Sequence, residues 1–179
     1  AVLLLGISTD TEDATGKILS RKAVNVTEKD IEKTINSFVG KYNQVPPMYS
    51  ALKVNGQKLC DLARKGVEIE RKPREVFIYD IIIEKIDIPE VTMTVKCSKG
   101  TYIRSLCRDI GDKLNTGGTI KSLVRTRTGI FNIENAVRLS EISKCVADNN
   151  IASLIMPTDS FFNDYPAVNV SGRNEMLVK

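Results

Sequence analysis

Histidine is missing from all 179 residues. That absence removes Ser-His and Cys-His nucleophile pairs, HExxH metal sites and histidine general bases, so any chemistry must run on Asp, Glu, Lys, Arg, Tyr or Cys. Four cysteines, Cys60, Cys97, Cys107 and Cys145, stand far apart with no CxxC spacing. Without histidine they make a poor zinc site, and they read as reduced structural thiols. Long apolar runs are missing too. The longest, Ala1 to Leu5, is far too short to cross a bilayer or to form a signal-peptide core, so no membrane attachment and a cytoplasmic location are the expectation. Internal repeats and low-complexity tracts are also absent.

What is present suits an ordinary globular chain. With 42% hydrophobic and 27% charged residues, its length allows one good core and a small appendage. The net charge of +4 is unevenly spread: Pro47 to Glu75 carries +3, Lys96 to Arg127 carries +6, and the remainder carries −5. Basic charge gathered in two stretches of an otherwise acidic chain is the footprint of a polyanion site, with nucleic acid as the leading candidate.

Periodicity predicts an α+β fold: a mixed, largely antiparallel sheet flanked by helices. Ala1 to Gly6 reads as a buried strand that stops at the polar turn Ser8-Thr9-Asp10-Thr11, where side-chain oxygens can hold backbone donors. Thr27 and Asp30 form a capping box for a helix with the stripe Ile31, Ile35, Phe38 and Val39, and Gly40 reads as its stop. Val45-Pro46-Pro47 is extended, Asn55-Gly56 is a tight reversal, and Leu59 to Gly66 holds a short helix within an exposed basic excursion. Glu75 to Ile86 and Val91 to Cys97 read as an antiparallel strand pair.

Ser98-Lys99-Gly100-Thr101 then breaks the strand. Ile103, Leu106, Ile110 and Leu114 recur at helical spacing, with Arg108, Asp109, Asp112 and Lys113 expected outside. After Gly117-Gly118, Ile120 to Phe131 reads as a strand on which Arg125 and Arg127 share one face. Leu139 to Ala147 is a further amphipathic helix, and Asp164-Tyr165-Pro166 marks an exit from the domain.

The stretches VPPMYSALKVNGQKL (45 to 59), LARKG (62 to 66), CSKGTYIRSLCRDIG (97 to 111) and LVRTRTGIF (123 to 131), in this order, resemble the TruB-type tRNA pseudouridine(55) synthases of bacteria. GISTDTEDATG (6 to 16) and MPTDSFFNDYPAV (156 to 168) resemble further segments of that family. The resemblance implies a pseudouridine synthase-like catalytic domain over 1–163, a thumb-like RNA-binding insertion over about 47–75, and a linker or C-terminal segment over 164–179. It implies action on the T-stem and loop of tRNA as a monomer, by base flipping, with no metal and no organic cofactor. A non-catalytic RNA-binding or tRNA-folding protein, and the related guide-RNA-dependent catalytic subunit, stand as alternatives. The basic insertion argues against the latter.

The family's catalytic aspartate lies in a Gly-x-Leu-Asp-Pro-x-Ala-Thr-Gly motif upstream of the TDT turn, and no such motif occurs here. The chain therefore resembles an internal portion of its family, lacking that motif and the C-terminal RNA-binding domain, and is expected to be inactive alone. Asp10 and Asp13 are the nearest carboxylates, but their place in the turn gives them a backbone-holding role instead.

An aspartate that reacts as a carboxylate needs its charge held and aimed, which an arginine fork does and a lysine point charge does not. The resemblance assigns that part to Arg104 and places Tyr102 in the same pocket. Leu123 corresponds to the pocket's apolar wall, against which a flipped pyrimidine offsets part of its unstacking cost. Arg125 is assigned to pocket support. Lys53, Lys58, Arg64, Lys65, Arg71, Lys72, Arg74, Lys99 and Arg127 are assigned to RNA contact, which neutralises phosphates without reading sequence. Cys60 stands where the family usually has tyrosine, which removes any stacking or hydroxyl contact made there.

Overall fold

The computed structural model describes residues 1–162 and 165–166, as two compact units, one of residues 1–124 and one beginning at residue 125. The chain opens with β1 (Val2–Leu5), whose alternation sends Leu3 and Leu5 into the core. Gly6, at φ 85°, redirects the backbone into β2 (Ile7–Thr9), which pairs with β3 (Ile18–Arg21). The strand expected to end before Ser8 thus continues through Thr9 in a second pairing, and the turn proper begins at Asp10. Polar residues join this ladder because β3 supplies partners for their backbone groups.

The capping box forms as read. The Thr27 hydroxyl oxygen accepts from the Asp30 N–H and the Asp30 carboxylate accepts from the Thr27 N–H, opening α1 (Glu28–Asn36). The helix ends at Asn36 with Ser37 as cap, earlier than the apolar stripe implied. Phe38 and Val39 lie in the following turn, and Gly40, at φ 105°, opens β4 (Gly40–Gln44) rather than closing the helix. Then come β5 (Lys53–Val54) and β6 (Gln57–Lys58), a hairpin whose Asn55-Gly56 turn has both φ angles positive, and α2 (Leu59–Arg64). Pro47, Met48 and Ser50 are buried, so the excursion is exposed only beyond its root.

Next follow β7 (Arg74–Asp87), β8 (Glu90–Cys97), α3 (Ile103–Lys113) and β9 (Gly118–Ser122). The principal sheet runs β4-β7-β8-β1-β9, with every neighbour antiparallel. Ile31 and Ile35 of α1 and Leu106, Cys107 and Ile110 of α3 close the core over Ile78, Ile81, Val91, Met93 and Ile120. Each such side chain contributes about 1.5–3 kcal/mol by leaving water. Burial pushes the Cys107 thiol up to about 12, which keeps it protonated and inert, as a packing residue should be. At the far end of α3, a Cβ on Gly111 would come within 2.2 Å of the Gly118 nitrogen, so helix and strand touch backbone to backbone.

β9 pairs along β1 from Leu5 to Val2 and ends with that partner. The long strand expected from Ile120 to Phe131 is therefore broken. Leu123 to Thr126 has no regular structure, and the second unit opens with the hairpin of β10 (Arg127–Thr128) and β11 (Phe131–Asn132). Arg125 lies outside any strand, so the common face expected for Arg125 and Arg127 does not exist. In the same unit α4 (Leu139–Ala147) has the bounds expected of it, and the Phe131 and Phe161 rings lie 5.5 Å apart. Asp164 and the boundary placed at 163/164 lie outside the described residues. Among those residues, no helix is long and apolar enough to cross a membrane.

Candidate functional site

The site is built around the first two turns of α3. The break before the helix is held locally: the Phe77 N–H donates to the Ser98 Oγ at 2.9 Å, the Thr101 hydroxyl donates to the Ser98 carbonyl at 2.9 Å, and Gly100 takes φ 83°. Lys99 sits exposed at the tip of this turn. Tyr102 is the N-cap, and its own side chain makes no cap bond. Gln44 acts instead, its Oε1 accepting from the Tyr102 N–H at 2.8 Å and its Nε2 donating to the Tyr102 carbonyl at 3.0 Å.

Arg104 is half-buried. Its Nη1 donates to the Thr11 carbonyl at 3.0 Å and its Nη2 to the Tyr49 carbonyl at 2.8 Å. One fork thus joins the TDT turn to the root of the excursion. Among the described residues no carboxylate lies within ion-pair distance of it. Its remaining N–H donors stay available to an acceptor of that kind.

The turn itself is stitched together by polar side chains. The Asp10 carboxylate accepts from the Lys17 N–H at 2.8 Å, and the Asp13 carboxylate from the Thr15 N–H at 3.0 Å and its hydroxyl at 2.8 Å. Both acids serve the backbone, the role read from their place in the turn. The Ala14 N–H donates to the Ile120 carbonyl at 2.8 Å, fastening the turn to β9.

One helical turn beyond Arg104, two of the four residues expected on the outside of α3, Arg108 and Asp109, turn inward, while Asp112 and Lys113 are exposed as expected. Arg108 donates from Nη1 to Glu12, from Nε to Asp109 at 2.7 Å, and from Nη2 to the Val45 carbonyl at 3.1 Å. The Tyr42 hydroxyl donates to the other Asp109 oxygen, and the Ser105 hydroxyl to Glu12 at 2.6 Å. Glu12 reaches this network because its backbone takes φ 60°, a left-handed conformation uncommon for a glutamate. Burial raises the Glu12 carboxyl above its ordinary range, while the Arg108 charge pulls the other way. Burial, with the bond to Asp109, raises the Tyr42 phenol.

The network escapes sequence inspection because its members come from three separate stretches, around residues 12, 42–45 and 105–109, and Arg108 and Asp109 occupy helical positions that pattern alone assigns to solvent. Gln44 and Tyr49 escape it too. The only local signal is a lone amide next to Val-Pro-Pro, a run in which two residues have no N–H to offer.

Of the cations assigned to RNA contact, Lys53, Lys58, Arg64, Lys65, Lys72 and Arg74 are exposed on the excursion or its return strand. Arg71 points inward, its Nη1 donating to the Pro46 carbonyl at 3.2 Å while Nη2 pairs with Glu68. Leu123 is 53% exposed at the end of the first unit. Arg125 and Arg127 belong to the second unit, where the Arg127 Nε donates to the Gly129 carbonyl at 3.1 Å. Among the described residues no cluster of three or more His, Cys, Asp or Glu side chains is arranged to hold a metal ion.

Residues 1–103 match the family described as TruB family pseudouridylate synthase (N terminal domain), and 104–163 the tRNA pseudouridylate synthase B C-terminal domain. The tRNA pseudouridine synthase B of Clostridium kluyveri is 51% identical over 168 residues, covering 94% of this chain and 57% of that protein. The protein of the same name from Clostridium tetani is 44% identical, covering 100% of this chain and 61% of its own length. The chain thus spans about three-fifths of these relatives. Among solved structures, a Cbf5-Nop10-Gar1 complex contains a chain with TM-score 0.62 and 26% identity, covering 88% of this chain and 40% of that one.

Proposed function

The chain belongs to the TruB family of pseudouridylate synthases, and we propose that the protein it represents isomerises uridine 55 in the T loop of tRNA to pseudouridine. The observation that carries this reading is Arg104: a half-buried guanidinium at a helix mouth, anchored on two backbone carbonyls, with donors left over and, among the described residues, no carboxylate partner. Such a group suits an aspartate nucleophile supplied from outside these 179 residues. Held by the fork, that aspartate stays ionised and aimed at the flipped uridine while the glycosidic C–N bond is exchanged for C–C.

In this reading Tyr102 lines the pocket beside the extruded base and Leu123 supplies an apolar wall, with Arg125 in support. The excursion over about 47–75 acts as a thumb over the T-stem and loop. Its exposed cations, with Lys99 and Arg127, neutralise phosphates. Residues 1–163 then serve as catalytic-domain sequence and 164–179 as the start of a linker, in a monomeric cytoplasmic enzyme. The high identity to the bacterial synthases favours a protein that needs no guide RNA.

Tritium release from tRNA labelled at uridine C5 tests the proposal. The full-length protein should release label from a bare T-arm RNA, and cytidine at position 55 should abolish release. The 179-residue chain alone should bind the RNA and release nothing. Turnover by the isolated chain would overturn the assignment of the nucleophile. Dependence on a guide RNA would overturn the choice of substrate mode.

A further inference from the structure

Gln44 is the last residue of β4, and it pairs in register with Arg74, the first residue of β7. Residues 45–73 leave and re-enter the sheet between those two positions, so Gln44 stands at the root of the entire excursion. Its side chain is 1% exposed, and a buried amide is tolerated only when its polar atoms are bonded. Both of its ends go to one residue, the Tyr102 N–H and carbonyl, 58 positions away in sequence.

Tyr102 needs such a partner. As the N-cap of α3 without a cap bond from its own side chain, it lies at a helix end whose N–H groups lack intrahelical acceptors. The root is held from α3 by further contacts of the same kind. Arg108 takes the Val45 carbonyl and Arg104 the Tyr49 carbonyl, while Pro46 and Pro47 have no N–H with which to hold themselves.

We propose that Gln44 is a positioning residue: its amide locks the root of the excursion to the mouth of α3 and so sets the backbone from which Tyr102 and Arg104 project. This rests on the isomerisation reading above. The amide acts through Tyr102 and makes no contact with substrate. Its contribution falls on the geometry of the reacting groups rather than on tRNA affinity.

The experiment uses the full-length protein with Gln44→Leu, which removes both bonds at similar volume, and Gln44→Glu, which keeps the acceptor for the Tyr102 N–H. A carboxylate there also faces the positive end of α3. Single-turnover tritium release should fall about 100-fold in Gln44→Leu, the scale of a misplacement near 1 Å. The tRNA Kd should stay within about threefold, since only transition-state contacts are lost. Gln44→Glu should recover part of the rate. Independently of activity, hydrogen exchange at the Tyr102 amide should accelerate about tenfold in Gln44→Leu, with β8 amides unchanged.

Unaltered Tyr102 exchange overturns the inference, whatever the activity. Accelerated exchange with a wild-type rate overturns it as well, and so does a rate loss matched by an equal loss of affinity. If the wild-type protein releases no tritium, the isomerisation reading falls and takes the reaction role of Gln44 with it. Accelerated Tyr102 exchange would then still support the clamp itself, and unaltered exchange would overturn that too.

Discussion

Arg104 and Arg108 are the same residue type, one turn apart on one helix, yet their surroundings are opposite. Arg108 is saturated with charge: two carboxylates and a carbonyl take up its donors, and the network continues to Tyr42 and Ser105. Among the described residues, Arg104 bonds only to carbonyls. The difference separates a guanidinium that completes its electrostatics within the fold from one that is anchored by the fold but left able to serve an incoming anion. Sequence spacing does not distinguish them; the partners do.

That contrast can be broken most forcefully at Arg108. Arg108→Met should lower stability by about 3–5 kcal/mol at neutral pH, because it strands the buried Glu12 carboxylate. A carboxyl whose folded pKa lies above its unfolded value loses stability as pH rises. Burial already raises Glu12, so the cost should shrink in acid as that group protonates, and the double variant with Glu12→Gln should be less sensitive to pH. Chemical denaturation between pH 4 and 8 checks this; a penalty independent of pH would mean that Glu12 is not the group stranded.

Arg104→Lys should do the converse. The full-length enzyme should lose about 10²–10³-fold in turnover, the scale of removing one electrostatic anchor from a reacting group, with stability and tRNA binding little changed. Single-turnover kinetics beside a thermal melt measure both. Near-wild-type turnover would erase the distinction between the two arginines. The smallest effect belongs to the excursion over about 47–75, proposed above as a thumb. Neutralising Lys53, Lys58 and Lys65 together should flatten the salt dependence of tRNA binding by about two units of log–log slope and leave saturating turnover alone. An unchanged slope would remove these exposed cations from the interface.

The parts of the fold legible in sequence are those decided locally. Thr27 and Asp30 announce α1 through a cap closed over three residues, Asn55-Gly56 announces its hairpin, and α4 follows its apolar spacing to the residue. What escaped was decided by distant partners. Ser8 and Thr9 join a strand because β3 pairs with them, β9 stops where its pairing with β1 stops, and Arg108 is drawn inward by a glutamate 96 positions away. At the candidate site, Tyr102 and Arg104 are assigned by a family motif. The groups that hold them, Gln44 and the carbonyls of Thr11 and Tyr49, carry no local signature because a backbone acceptor is available in any sequence.

The bare contact between Gly111 and Gly118 makes α3 a lever with its fulcrum at the far end. At 1.5 Å per residue, Arg104 lies about 10 Å along the helix from Gly111, so a tilt of about 6° at the glycine swings the guanidinium through about 1 Å. A single methyl group at position 111 would meet backbone on the strand side and force such a tilt. The aim of the site is therefore set as much by two missing side chains at one end of the helix as by the polar residues at the other.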